Sequence, residues 1–335
     1  MRHSCFLAIF IITLISSCLF FPACSSGTGS SSDNDSSGGT TPGGSSSSSG
    51  ITWESMSLTS GGNWGTIAYG GGKFVAIGEY DKAYSTDGIN WTSMSLPPNQ
   101  DWISVTYGNG YFVAVSYYYD PPYTAFEAAY SSDGINWTAV DLPSKSGRLY
   151  SIAYGNNRFI GVGSSSADYS TDNGRSWTLE TLPAASKKWD KIIYGNGLFI
   201  AFAGSLATSS ADGITWSSPM SLPASVTDIT YGNGQFVGVN TSGTGVYSSD
   251  GATWGISLSL PAEQWVAITY GNGRFVTVPG DYSLYQNSPT MGAYSSDGKT
   301  WATMTLPSSQ NWRSIAYGNS TFVAIASGST GAYSK

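Results

Sequence analysis

From residue 51 to the end of the chain, apolar and polar positions alternate in short runs separated by Gly, Asn, Asp, Ser and Pro. Alternation with a period of two marks strands that turn one face inward, and the small polar clusters mark the turns between them. Each unit opens on a bulky apolar lead residue and an alternating strand, as in Trp312-Arg313-Ser314-Ile315-Ala316-Tyr317. Gly-Asn-Gly follows, a pair of residues tolerant of positive φ that suits a tight hairpin. A second strand comes next (Phe112-Val113-Ala114-Val115), then a third ending in Ala-Tyr, a polar turn closed by Trp, a fourth strand, and Leu-Pro.

The unit repeats. Tyr-Gly-x-x-x-Phe recurs at Tyr69, Tyr107, Tyr154, Tyr194, Tyr231, Tyr270 and Tyr317, with spacings of 38, 47, 40, 37, 39 and 47 residues. A period of about 41 residues accommodates four short strands, the content of one propeller blade. The expected architecture is therefore all-β: a seven-bladed β-propeller of four-stranded blades over residues 51–335. The seventh unit is divided between the chain ends, Ala332-Tyr333-Ser334 at one and Ile51-Thr52-Trp53 at the other. The N-terminal strand is expected to complete the last blade, bury Trp53 and Ile51, and leave the ring without an open edge.

The polar turn has the form Ser-x-Asp-(x)-Gly-x-x-Trp, at 85–91, 131–137, 170–177, 210–216, 248–254 and 295–301. It resembles the Asp-box, or BNR repeat, of sialidases and other propeller families. Only the third copy has the family's full spacing; the others lack one residue between Asp and Gly. The resemblance implies a structural role for Asp87, Asp133, Asp172, Asp212, Asp250 and Asp297, on a face remote from any active site. Chemically, the carboxylate and the Ser hydroxyl can serve the backbone of their own turn, and the Trp ring can be buried between strands.

Ahead of the repeats, Arg2 and the apolar run Phe6–Ile15 have the form of a signal peptide spanning residues 1–23. Phe-Pro-Ala-Cys24 and Ile-Ser-Ser-Cys18 both resemble a bacterial lipobox, whose Cys becomes the lipidated N-terminus. Cys18 has the better residue three places upstream, and Cys24 the better polar context downstream; Cys24 is favoured, with an unlipidated cleaved signal as the other reading. Residues 24–50 are, after Cys24, Ser, Gly and Thr with two aspartates, one asparagine and one proline, too polar to offset the entropy of ordering, and read as a tether. The expectation is a lipid-anchored protein of the bacterial cell envelope, whose one membrane contact is that anchor.

Composition narrows the chemistry. The three cysteines, Cys5, Cys18 and Cys24, and the one histidine, His3, all precede the repeats. The repeats therefore hold no disulfide, no Cys or His metal site and no Ser-His-Asp triad, and no Asp-x-Asp run suggests an all-carboxylate metal site. No cofactor is expected. Removing residues 1–23 takes away only Arg2 and moves the net charge from −7 to about −8, a surface that repels nucleic acid. A monomer is expected.

Strand order assigns the Gly-Asn-Gly turns and the Asp-boxes to one face, and the second-to-third-strand loops and interblade links to the other. Two loops of the latter kind are long: Phe112 to Tyr130 spans 18 residues and Phe275 to Tyr294 spans 19, against 10 or 11 in the other blades. They carry Tyr117, Tyr118, Tyr119, Tyr123, Tyr282 and Tyr285, suited either to stacking on a ligand or to packing against neighbouring blades. The lead residues of the first strands lie on the same face: Trp64, Trp102, Leu149, Trp189, Val226, Trp265 and Trp312. Among them Trp102, Trp265 and Trp312 are candidates for sugar stacking, with interior packing the favoured alternative.

The sialidase resemblance implies three arginines around a carboxylate and an Arg-Ile-Pro motif. The motif is absent, and only Arg148 and Arg313 fall near the candidate face, because Arg175 sits in a box and Arg158 and Arg274 on the turn side. A glycosidase needs only two carboxylates; Asp101, Asp120, Glu127, Asp190, Asp228, Glu263 and Asp281 are available, with no pairing evident. The sequence reads as a binding or scaffold module for a glycan or protein, without catalytic residues. A glycoside hydrolase and a structural envelope factor are the alternatives.

Overall fold

A computed structural model describes residues 50–335 apart from 60–61, 99, 117–126, 144–146, 165, 185–186, 258, 281–289 and 335. The described residues are all-β and form seven antiparallel blades around an axis. Blade one is built from Trp64–Gly70, Lys73–Gly78, Lys82–Ser85 and Thr92–Ser93. The innermost strands of blades two to seven are Trp102–Gly108, Leu149–Gly155, Lys191–Gly195, Asp228–Gly232, Trp265–Gly271 and Trp312–Gly318. Each touches the next, and that of blade seven touches that of blade one.

The Tyr-Gly signature is the interlock of this ring. The glycine ending each innermost strand lies against the tyrosine ring of the following blade. A Cβ on Gly155 would stand 2.0 Å from Cγ of Tyr194; on Gly271, 2.0 Å from that of Tyr317; on Gly318, 2.0 Å from that of Tyr69. The last contact returns to blade one, so the same pair that links neighbours also closes the circle. The signature's Phe is buried and sits beside the Tyr of its own blade, with ring centroids 4.6 to 4.8 Å apart.

Blade seven is divided as the sequence indicates. Trp53–Ser57 pairs antiparallel with Thr330–Ser334, from Trp53 opposite Ser334 to Ser57 opposite Thr330. The anchors differ from expectation: Met56 and Leu58 are buried, whereas Ile51 and Trp53 are half-buried against the cluster between blades six and seven. The strand's alternation turns Met56 inward, and Trp53, nearer the rim, places its indole N–H 3.2 Å from Sδ of Met304. Blade three departs from four regular strands. Its fourth position is held by isolated bridges, Tyr169 with Thr178 and Ser166 with Thr181, rather than by a continuous ladder.

Candidate functional site

The two faces of the ring are chemically different. On the turn face, Asn109 and its counterparts adopt left-handed φ (47° at Asn109, 48° at Asn196), the conformation a two-residue hairpin demands. Their side chains reach the next blade: Asn156 donates to the carbonyl of Ala211, Asn196 to that of Ser249 and Asn233 to that of Ser296, each at 3.2 Å.

The Ser-x-Asp turns behind them are self-contained. Oγ of Ser85 donates to Oδ1 of Asp87 at 2.9 Å and accepts the Gly88 N–H at 2.8 Å; the same Oδ1 accepts the N–H groups of Ile89 and Asn90. The pattern recurs around Asp133, Asp212, Asp250 and Asp297. The longer third copy keeps it by placing its extra residue, Asn173, at a φ of 64°, so that Asp172 accepts from Arg175 and Ser176. Slight burial raises the carboxyl of Asp133, but the donors from Asn136, Ile135 and Ser131 outweigh it and hold the group well below the carboxylate range. Backbone donors from Ile214 and Thr215 bring Asp212 down to about 2. Arg158 and Arg274 lie over the Tyr169 and Tyr294 rings of their own blades, with the cation 5.8 and 5.3 Å from the centroids.

The opposite face is formed where loops between second and third strands bond to interblade links. Glu79 N–H donates to Asn63 O, Ser164 N–H to Arg148 O, Gly280 N–H to Gln264 O and Ser327 N–H to Asn311 O. The axial channel opens here. Its body, about 380 Å³, is lined by the innermost strands, and its mouth widens into a cavity of about 560 Å³. A β-bulge follows the lead residue in blades one, two, three, six and seven. A bulge re-aims the extra side chain, and Gly65, Ile103, Val266 and Arg313 at these bulges line the mouth.

Charge at the mouth is divided. Asn63 and Tyr80 donate to Glu79 and hold its carboxyl below the usual range, Tyr80 contributing most. Burial, and then the charge of Glu79, raise Asp101. Glu127, directly across the strands from Asp141, is raised by burial and by that neighbour. On the far side, Nζ of Lys191 lies 3.0 Å from Oδ1 of Asp228, whose Oδ2 accepts the Ile268 N–H at 2.8 Å. Burial raises Asp190 against the pull of Lys188 and Lys191. Among the described residues, no group of three or more His, Cys, Asp or Glu is placed to hold a metal.

The lead residues expected as candidates for sugar stacking are interior instead. Trp102, Trp265 and Trp312 are 2%, 0% and 0% exposed. Their rings fill the clefts between blades, with Nε1 of Trp102 and of Trp265 donating to the carbonyls of Pro97 and Pro261. Tyr117, Tyr118, Tyr119, Tyr123, Tyr282 and Tyr285 lie outside the described residues, as do Asp120, Asp281, Cys18 and Cys24. The strands that emit the two long loops end on the mouth side, at Ser116 and Glu127 and at Pro279 and Met291. Oγ of Ser116 donates to Glu127 O at 2.9 Å, pinning the base of the first loop.

Loop length was the sequence signal, and it passed over blade one. The ordinary-length loop there carries Glu79 and Tyr80, and Tyr80 is the most exposed large hydrophobic side chain among the described residues, at 77%. The signal available was chemical: Glu-Tyr-Asp-Lys at a position that four blades fill with small residues or a short turn.

No protein-family model matches the chain, and no curated protein does. Solved structures do. A structure of YCF48 bound to D1 peptide superposes with a TM-score of 0.66 at 15% identity, over 84% of this chain and 94% of that one. Virginiamycin B lyase from Staphylococcus aureus gives 0.70 at 12% identity, over 85% and 99%. The WD40 propeller domain of Doa1 gives 0.63 at 12% identity, over 85% and 97%. At these identities the likeness is one of fold.

Proposed function

We propose that this chain is a lipid-anchored module of the bacterial envelope that binds a glycan or protein ligand at the channel mouth. The observation that carries the reading is the contrast between faces. The turn face spends its polar groups on its own backbone, while the mouth offers a roomy cavity bordered by Glu79, by Asp101 with its raised carboxyl, and by an exposed tyrosine. Rigid scaffolds commonly carry recognition on such loops. The fold is compatible with it: one propeller of this shape is described with a peptide bound. The lyase is described in a catalytically inactive histidine-to-alanine form, and the only histidine here is His3, which disfavours that chemistry. The anchor rests on Cys24: Cys24→Ser is expected to abolish lipid labelling, and its persistence there with loss in Cys18→Ser moves the site to Cys18.

Glycan and peptide arrays probed with the full chain test the binding reading. Tyr80→Ala, and the double replacement of Tyr118 and Tyr119 by Ala, are expected to weaken any hit by about tenfold, the effect of about 1.4 kcal/mol at an aromatic anchor. Undiminished affinity in both removes the mouth as the site. One observation favours a hydrolase as second reading: Glu79 is lowered and its neighbour Asp101 raised, as in a base and acid pair. A fluorogenic glycoside panel decides it, turnover lost in Glu79→Gln being the positive result.

A further inference from the structure

The mouth has a notch on one side. The bulge position that carries Ile103, Val266 and Arg313 in three other blades is Gly65 in blade one. The fold does not require glycine there. A Cβ on Gly65 would meet only the Ile77 carbonyl, at an ordinary 3.7 Å, whereas one on nearby Gly78 would stand 2.6 Å from the Asn63 carbonyl. Gly78 is there for packing; Gly65 leaves space.

What borders that space is acidic and aromatic. Glu79 and Asp101 line it, with Tyr80 exposed beside them, while the two cations of the same cavity, Lys191 and Arg313, are engaged elsewhere, by Asp228 and by Oγ of Ser327. Lys82, the cation of this blade, donates to the Glu79 carbonyl at 3.1 Å and is itself lowered by burial. Trp64, 1% exposed, turns its ring into the cleft between blades seven and one and forms the floor beneath the notch. Farther round, Glu127 and Asp141 add like charge over blade two. The links into blades three and four carry the opposite sign, in Arg148, Lys187 and Lys188. A surface divided in this way complements a ligand that bears both charges, which a peptide does and a neutral sugar does not.

Resting on the reading that this face binds, we infer that the Gly65 notch receives a lysine or arginine side chain from a peptide segment of a protein ligand. The cation sits between Glu79 and Asp101, with the Tyr80 ring available to its face.

Two variants of the full chain separate this site from general attraction of an acidic protein for basic peptides. Gly65→Leu fills the notch and changes no charge; Glu79→Gln with Asp101→Asn removes the charge and keeps the shape. On an array of 12-residue peptides in 0.15 M salt, where exposed charges are screened beyond about 8 Å, the unmodified chain is expected to select Lys- or Arg-containing sequences. Both variants are expected to lose that selection by tenfold or more, with melting temperatures unchanged. Selection that survives Gly65→Leu is surface electrostatics and overturns the inference. So does binding to amino-sugar oligomers in place of peptides, or the absence of any basic preference. In those cases a hit lost in Tyr80→Ala keeps the mouth as the binding face, while hits indifferent to every mouth variant dismiss both.

Discussion

The turn face and the mouth of this propeller use the same residue type to opposite effect. Asp212 on the turn face accepts two backbone N–H groups and a Ser hydroxyl, and its carboxyl lies at about 2. Asp101 at the mouth is raised by burial and by the charge of Glu79. The ionised form stabilises the fold in the first case and opposes it in the second. Groups held in a state that costs stability are a mark of sites kept for another purpose. The comparison therefore separates residues that build the ring from residues that the ring presents.

The ring side of the comparison carries the largest expected effects. Deleting residues 51–58 removes the outer strand of blade seven together with buried Met56 and Leu58, side chains whose loss costs about 2–5 kcal/mol each. Thermal melts should show a marked drop, and deleting 25–48 should leave the melt in place; equal melts would break the divided blade. Next is the interlock. Gly155→Ala puts a methyl carbon 2.0 Å from Cγ of Tyr194, and overpacking of this kind costs about 1–3 kcal/mol in denaturant titration. An unchanged midpoint would show that the Tyr-Gly contact yields easily.

The effect of a single turn is of similar size. Asp133→Ala removes hydrogen bonds from Ser131, Ile135 and Asn136 to a carboxylate, a loss of about 1–3 kcal/mol, and should leave ligand affinity intact. The pH dependence sharpens the contrast. The Asp212 carboxyl is depressed on folding, so its stabilisation is present above the unfolded value near 3.9 and is lost as pH falls toward about 2. Asp212→Asn should lower stability at pH 7 and flatten its decline between about pH 4 and pH 2. Asp101 is raised on folding, so its sign is reversed: Asp101→Asn should leave stability at pH 7 equal or slightly higher. Loss of stability in both would erase the distinction between the faces.

Most of the ring was legible in the sequence because repetition writes it seven times. Tyr69 to Tyr317 gave the blade count, and the fragments at Ile51 and Tyr333 gave the closure. The interlock was not legible, since nothing in a Tyr-Gly pair says that the two residues serve different partners in adjacent blades. Nor was the fate of the lead tryptophans: Trp312 and its counterparts sit at the mouth in the chain order but turn into the interblade cleft, where a large ring is best buried. The mouth was the least legible part. Its shape depends on bulges and on one missing side chain, at Gly65, and repetition carries no information about the position where a repeat departs from itself.

The claim at the centre of this account is that the ligand meets the mouth and not the turns. A photo-crosslinking side chain in place of Tyr80, compared with one in place of Ala252, an exposed residue of a Ser-x-Asp turn, tests it in intact cells. The account predicts discrete adducts from the Tyr80 position, reduced when Gly65→Leu is added, and none from the Ala252 position. Adducts from the Ala252 position alone would contradict it.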